Sequence, residues 1–346
     1  MKKHLNLISS EETTRFGVPH LKRLWQRAML MRNGQYLPRR ENEWIHDKIV
    51  LFGLGLALEE TFQYIYQKAP DFKEFEDLIL KINGGNIDTA QLERINAALN
   101  GEKYSERLEN ELREIENGEP VLSESDLDFW DENGYVIVRE AISKVEAAAS
   151  ETAIWDYLQM NPDDPESWYK KEKTQGIMIQ SFHHEAFRRN RKSKRIQKAF
   201  AQIWKTADLW TTVDRVGFNP PEKKHTWRFP GPHLHWDMSL EFPLYFGTQG
   251  ILYLTDVSAE QGAFTCVPGF HRKIHDWLKN LSPNENPREQ DLKKLGAKPI
   301  TAGAGDLIIW HQALPHGSSP NRAERPRIVQ YINMFPNRRD DNDVWR

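Results

Sequence analysis

Apolar residues recur along this chain at two different spacings, and the change of spacing divides it. From about Glu11 to Gly118 they fall three and four residues apart, as in Leu21, Leu24, Trp25 and Ala28, then Ile45, Ile49, Phe52 and Leu56, and later Leu92, Ile95 and Leu99. That is the pattern of helices that each bury one stripe. Breaks at Gly34, Pro38, Pro70, Gly84-Gly85, Gly101 and Gly118 to Pro120 delimit about five helices. The stretch from Asn86 to Thr89 supplies a cap for the helix that starts near Thr89. Beyond about Val213 the pattern changes to short β-rich runs, TTVDRVGF, PHLHWDMSLEF, QGILYLTDV, AFTCVPG, GDLIIW and RIVQYINMF, joined by turns that carry Pro and Gly. An antiparallel double sheet or jelly roll is the natural assignment.

Between the two halves, a linker around Glu116 to Ser123 leads to a short helix capped by Ser123, and Asn133-Gly134 then turns the chain. Tyr135 to Val138 reads as a strand, and a helix is predicted from Lys144 to Leu158.

Composition narrows the partners. At 346 residues the chain is long enough for about two domains with ordinary cores. A net charge of -3 gives no field of one sign that would favour nucleic acid or an anionic membrane. The basic run Arg188, Arg189, Arg191, Lys192, Lys194, Arg195 and Lys198 enters a helix that ends near Trp204, and a solvated helix face is its default reading, since no RNA- or DNA-binding motif accompanies it. The one cysteine, Cys266, has no disulfide partner within the chain and lies in an apolar run, as a buried, inert thiol would. The start MKKHLNLISSEETTRF contains no apolar stretch of a signal peptide, and the longest apolar run, Ile49 to Leu58, is too short to span a bilayer. These features predict a cytoplasmic protein with no membrane partner.

The chemistry centres on His235-Trp236-Asp237. Residues two apart on a strand face one side, so His233, His235 and Asp237 would point together. A His and a carboxylate at that spacing, with a distant second His, can form the facial arrangement that leaves positions open on a non-haem iron. His235 is preferred because Asp237 is two residues on, whereas His233 would need a reach of roughly 13 Å between Cα atoms. His316 lies where a strand is expected to end in a loop, and His311, at the strand end five residues earlier, competes with it.

Taken together, the segments DENGYVIVREAI, Pro220-Pro221 before HLHWD, EQGAFTCVPGFHR, GDLIIWHQALPHG and PNRAERPR closing on Arg327 resemble the phytanoyl-CoA dioxygenase-like (PhyH) family of Fe(II)/2-oxoglutarate oxygenases. The resemblance spans roughly residues 122 to 336. It implies a double-stranded β-helix (jelly-roll, cupin-like) core over residues 119–346; with the all-helical extension that periodicity gives over residues 1–118, read as a platform or dimerisation surface, the fold class is α+β. It also implies His235, Asp237 and His316 as ligands of Fe(II), with 2-oxoglutarate as co-substrate and O2 as oxidant. Arg327, eleven residues after His316, would clamp the distal carboxylate of 2-oxoglutarate, with Arg325 as its rival. Ser318 would assist that carboxylate, and Tyr253 and Arg215, expected on strands, would face the co-substrate; packing between sheets is the alternative for Tyr253. Trp236 and Trp310 could wall the pocket or serve the core. Gln261 and Phe270 depart from the family pattern, and the carboxylate at 237 argues against a halogenating relative.

The activity implied is hydroxylation of a small or medium organic molecule, yielding succinate and CO2. Alternatives are a protein side-chain hydroxylase and a non-catalytic metal-binding scaffold on the same fold. The partners expected are a small-molecule substrate and a second copy of the chain, joined through the helical region.

Overall fold

The structure, a computed structural model, describes residues 7–337 apart from 13, 40, 41, 171 and 283. Six helices occupy the described residues up to Asn117: α1 (Leu21–Arg32), α2 (Glu43–Gly53), α3 (Leu58–Lys68), α4 (Phe72–Ile82), α5 (Thr89–Asn100) and α6 (Glu106–Asn117). Periodicity predicts about five, because the apolar run from Ile49 to Leu58 reads as continuous. The chain breaks inside it, at Gly55, which takes the left-handed φ of 70° that glycine tolerates. The start of α4 is fixed by a capping box, in which the Glu74 amide donates to Asp71 and the Glu74 carboxylate accepts from the Asp71 amide, both at 2.8 Å. Asp88 caps α5 through the Ala90 amide.

The chain divides into two compact units. The helical unit comprises residues up to Asn117 together with Asp208–Val213 and a stretch that begins at Pro336. Strand β4 (Leu209–Thr211), named by its place in chain order, lies in the first inserted segment. Within this unit the Arg94 guanidinium donates to the Leu209 carbonyl at 2.8 Å and lies 4.2 Å over the Trp210 ring. A Cβ at Gly53 would stand 2.6 Å from Ile95, so α2 and α5 approach as closely as they do only because that side chain is absent.

The helical unit also buries charge. Glu43 accepts from Arg23 Nε at 2.6 Å and pairs with Arg27, all three being less than 5% exposed. Removing one partner of a buried ion pair leaves the other charged and desolvated. We therefore expect Glu43→Gln to destabilise the helical unit by about 3–5 kcal/mol, read as a lower urea midpoint. An unchanged midpoint would mean that the two guanidinium groups do not depend on Glu43.

The second unit opens with α7 (Glu124–Asn133), capped by a Ser123–Asp126 box and closed by Gly134 at φ 74°, and continues through β1 (Tyr135–Val138) and α8 (Lys144–Leu158). These elements lie where the sequence places them. Then come β2 (Thr174–Gln175), β3 (Met178–Ile179), α9 (Glu185–Arg191), α10 (Lys194–Trp204), β5 (Val216–Asn219), β6 (Thr248–Tyr253), β7 (Phe264–Cys266), β8 (Lys298–Ile300), β9 (Leu307–His311), β10 (His316–Ser318) and β11 (Arg327–Tyr331). A seven-stranded sheet runs β1-β9-β6-β11-β5-β3-β2, and a three-stranded sheet runs β10-β7-β8. The recorded strand pairs in both sheets are antiparallel.

Ile251, Tyr253, Ile308, Trp310 and Val329 of the larger sheet share one apolar cluster with Phe264, Cys266 and Ile300 of the smaller. The two sheets therefore bury a common core. Behind the larger sheet, the Phe200 ring of α10 comes within 3.2 Å of where a Cβ of Gly250 would be. Burial on both faces explains why runs such as GDLIIW are continuously apolar rather than alternating. Cys266 is fully buried and burial raises its thiol pKa, consistent with an inert thiol.

Two expectations are corrected here. HLHWD is not a strand: only His235 pairs, in an isolated bridge to His316. The carbonyls of Trp236 and Met238, which a ladder would engage, instead accept from the Arg288 guanidinium at 2.8 and 2.6 Å. The basic run is not one solvated face either. It is split at Ser193, the cap of α10, and Arg191 is buried with Nη2 donating to the Phe182 carbonyl at 2.7 Å. Among the described residues no helix is long and apolar enough to cross a membrane.

Candidate metal centre

Two backbone hydrogen bonds set the centre. The amide of His235 donates to the His316 carbonyl at 2.9 Å, and the amide of His316 returns a bond of 3.0 Å. His316 opens β10, which is locked on its other edge to β7 through the His316–Cys266 register. Here too the structure corrects the sequence, which places His316 in a loop; the residue starts a strand because β7 offers it a ladder. The two imidazole rings stand 4.7 Å apart.

Trp236 turns inward, its indole donating to the Ala313 carbonyl at 2.9 Å and its ring packing beside Phe270 and Trp277. Burying Trp236 directs its neighbours His235 and Asp237 to the opposite side. The side chains of 235 and 237 therefore meet even though the segment is not a strand. Asp237 Oδ1 lies 3.2 Å from His235 Nε2, and Oδ2 lies 3.3 Å from His316 Nε2.

The protonation pattern follows from the outer contacts. His235 Nδ1 is 2.7 Å from the His233 carbonyl, and His316 Nδ1 is 3.0 Å from the Leu314 carbonyl. A carbonyl can only accept, so each Nδ1 carries hydrogen and each neutral ring turns the Nε2 lone pair inward. Two lone pairs and a carboxylate then converge, with ligand atoms from all three residues within 4.8 Å of one another. Acceptors facing acceptors need a cation between them, either protons on the rings or a metal ion.

The acid–base balance reflects the same arrangement. Burial favours the neutral acid at Asp237, but when the rings are also protonated at Nε2, hydrogen bonds from His235 and His316 outweigh it and hold the carboxyl far below its ordinary range. Burial lowers the His235 pKa, and the Asp237 contact more than offsets that.

The rival histidines lie elsewhere. His233 packs against Phe229 and lends only its carbonyl, while His311 ends β9 among Trp130, Phe246 and His271. Among the described residues the cluster of His235, Asp237 and His316 is the one group with metal-ligand spacing.

Ser318 lies two residues beyond His316 on β10 and so shares its face. Its hydroxyl accepts from Arg327 Nη1 at 2.9 Å. Arg327 is wholly buried, and its Nε and Nη2 have no partner. Those two nitrogens form one edge of the planar fork, the edge that matches a carboxylate. Arg325, by contrast, is exposed, donating to the Pro162 carbonyl at 2.9 Å.

Tyr253 is buried, and its hydroxyl donates to the Ile300 carbonyl and accepts from the Phe264 amide, both at 2.9 Å. It ties the two sheets together, with its one proton engaged. Arg215 stands just before β5 rather than on a strand, because pairing to β3 and β11 begins only at Val216. Its own carbonyl accepts from the Tyr331 amide at 3.2 Å. Both tryptophans belong to the buried core, and Trp310 also flanks His316 at 5.1 Å.

Sequence reasoning misses two residues that touch this centre. Gln249 Nε2 donates to Asp237 Oδ2 at 2.8 Å. Its signal is an amide two residues before Ile251 and four before Tyr253, at the end of an inward-facing apolar row. Arg288, which binds the carbonyls on either side of Asp237, lies in a short 3-10 turn, Pro287–Glu289, within a polar stretch and carries no comparable signal.

The sequence profile of phytanoyl-CoA dioxygenase (PhyH) matches residues 130–329, more than half of the chain. A Dictyostelium discoideum protein that bears the same enzyme's name is 23% identical over 259 residues, covering 60% of this chain and 74% of its own length. Among solved structures, SnoK, a non-heme alpha ketoglutarate dependent carbocyclase from nogalamycin biosynthesis, aligns with a TM-score of 0.45 and 19% identity over 63% of this chain and 87% of its own. EvdO2 from Micromonospora carbonacea var. aurantiaca, solved in complex with 2-oxoglutarate, aligns with a TM-score of 0.45 and 15% identity over 65% of this chain and 95% of its own.

Proposed function

This chain belongs to the phytanoyl-CoA dioxygenase family, and from that premise we propose that it is an Fe(II)/2-oxoglutarate-dependent dioxygenase that hydroxylates a small or medium organic molecule. In this reading residues 119–346, apart from Asp208–Val213 and the stretch from Pro336 that join the helical unit, form the double-stranded β-helix domain, and residues 1–118 supply the helices of the extension. The single observation that carries the proposal is the joint placement of two recognition elements, linked through His316 and Ser318 on one face of β10. One is the set of inward lone pairs of His235, His316 and Asp237; the other is the buried edge of Arg327 with no partner.

His235, Asp237 and His316 would hold the iron, their outer nitrogens fixed by backbone carbonyls so that both rings stay in the ligating tautomer. Arg327 would take the distal carboxylate of 2-oxoglutarate through Nε and Nη2, with Ser318 holding the guanidinium from the other side. Iron with 2-oxoglutarate and O2 supplies the oxidising chemistry and releases succinate and CO2. Phe264 and Trp310, packed 4.3 Å apart and both beside His316, keep water from that flank of the site.

The test is an anaerobic titration of 2-oxoglutarate into Fe(II)-loaded protein. A saturable visible charge-transfer band is expected. Metal-replete protein that gives no band would exclude a chelated co-substrate and with it the proposal.

A further inference from the structure

Asp237 follows the one paired residue of its segment, so no ladder fixes where its carboxylate faces. Arg288 holds the backbone on either side of it. The side chain is held by Gln249, whose own orientation is set by a second contact: Gln249 Oε1 accepts from the Trp310 indole at 3.0 Å. An indole N–H can only donate, so the amide oxygen must face Trp310 and the amide NH2 must face Asp237. Gln249 and Trp310 are direct cross-strand partners in the register of β6 and β9, two interior strands of the larger sheet. The relay therefore stands on a rigid element.

We propose that Gln249, oriented by Trp310, is a positioning residue of the metal centre: its amide occupies Asp237 Oδ2 and leaves Oδ1 as the oxygen offered to the metal. A carboxylate held this way by one oxygen keeps the remaining positions of the ion clear for small ligands. The inference rests on the metal-centre reading above and concerns how Asp237 is held, which the family match does not address.

The experiment is titration of the apo-protein with Co(II), followed by calorimetry and by the d–d absorption of the bound ion. The proteins compared are wild type, Gln249→Met, Trp310→Phe and the double variant. Loss of a contact that orients a ligand weakens metal binding by about 10–100-fold, and that loss is expected for Gln249→Met. Trp310→Phe should lose less, because its glutamine remains. The double variant should bind no more weakly than Gln249→Met alone, since both changes act through the one hydrogen bond to Asp237.

A purely structural Trp310–Gln249 contact would lower the unfolding temperature of the apo-variants and leave Co(II) affinity unchanged; that result overturns the proposal. Losses that simply add in the double variant overturn it as well, because Trp310 would then act separately through its packing on His316. Should Gln249→Met fail to fold, Trp310→Phe decides, and unaltered affinity there counts against the relay. Wild-type protein that binds no Co(II) would instead remove the metal-centre reading itself.

Discussion

In the Asp237→Ala protein, Fe(II) affinity falls by more than about a hundredfold, beyond the 10–100-fold that loss of an orienting neighbour costs, and added 2-oxoglutarate produces no visible band. The carboxylate is the only anionic group of the proposed ligand set, and without it the ion meets two neutral imidazoles and water. The fold should persist with at most a modest loss of stability, because the Asp237 side chain is 52% exposed and its contacts to His235, His316 and Gln249 are screened by solvent. A variant that folds normally and still binds Fe(II) as tightly as wild type would show that the ligands lie elsewhere.

Arg327→Met should separate the co-substrate from the metal. Two charge-assisted hydrogen bonds at about 1.5–3 kcal/mol each correspond to a weakening of 2-oxoglutarate binding by about 10²–10⁴-fold, while Fe(II) binding persists. Stability should behave unusually. The Arg327 guanidinium is wholly buried with Ser318 as its one hydrogen-bonded side-chain partner, so in the absence of a carboxylate it is a desolvated charge that the fold must carry. Replacing it with an apolar side chain of similar length should leave the unfolding temperature unchanged or raise it. Saturating 2-oxoglutarate should raise that temperature in wild type and not in the variant. Equal stabilisation of both proteins would mean that the co-substrate does not use this arginine.

Features written in local chemistry are legible in the sequence itself. Ser123 and Asp126 with Gly134 delimit α7, and Asp88 caps α5, because such signals operate within a few residues. The pairing of His235 with Asp237 is legible for a related reason: alternation persists over three residues whenever the middle one, here Trp236, has a core to enter. The sequence does not disclose that this segment lacks a ladder, since its ladder partner is replaced by Arg288, 52 residues from Trp236 along the chain. Nor does it place His316 on a strand, which depends on β7 being alongside. Gln249 and Asn219 are polar residues on apolar strands whose purpose is set by what faces them across the sheet. Asn219, the register partner of Arg327, has a buried Oδ1 with no partner, and periodicity alone could not single it out.

The helical unit is assembled from three separated parts of the chain, with Trp210 beneath the Arg94 guanidinium and beside Gly53. An appendage joined end to end can be gained, lost or exchanged between genes as a single block. One that takes a strand from the middle of the sequence and a further stretch from near its end cannot. Removing the helices would uncover the faces of residues 208–213 that they bury, Trp210 first among them. A chimera that swaps the first 118 residues between relatives should therefore fold only if it carries the interior segment Asp208–Val213 along.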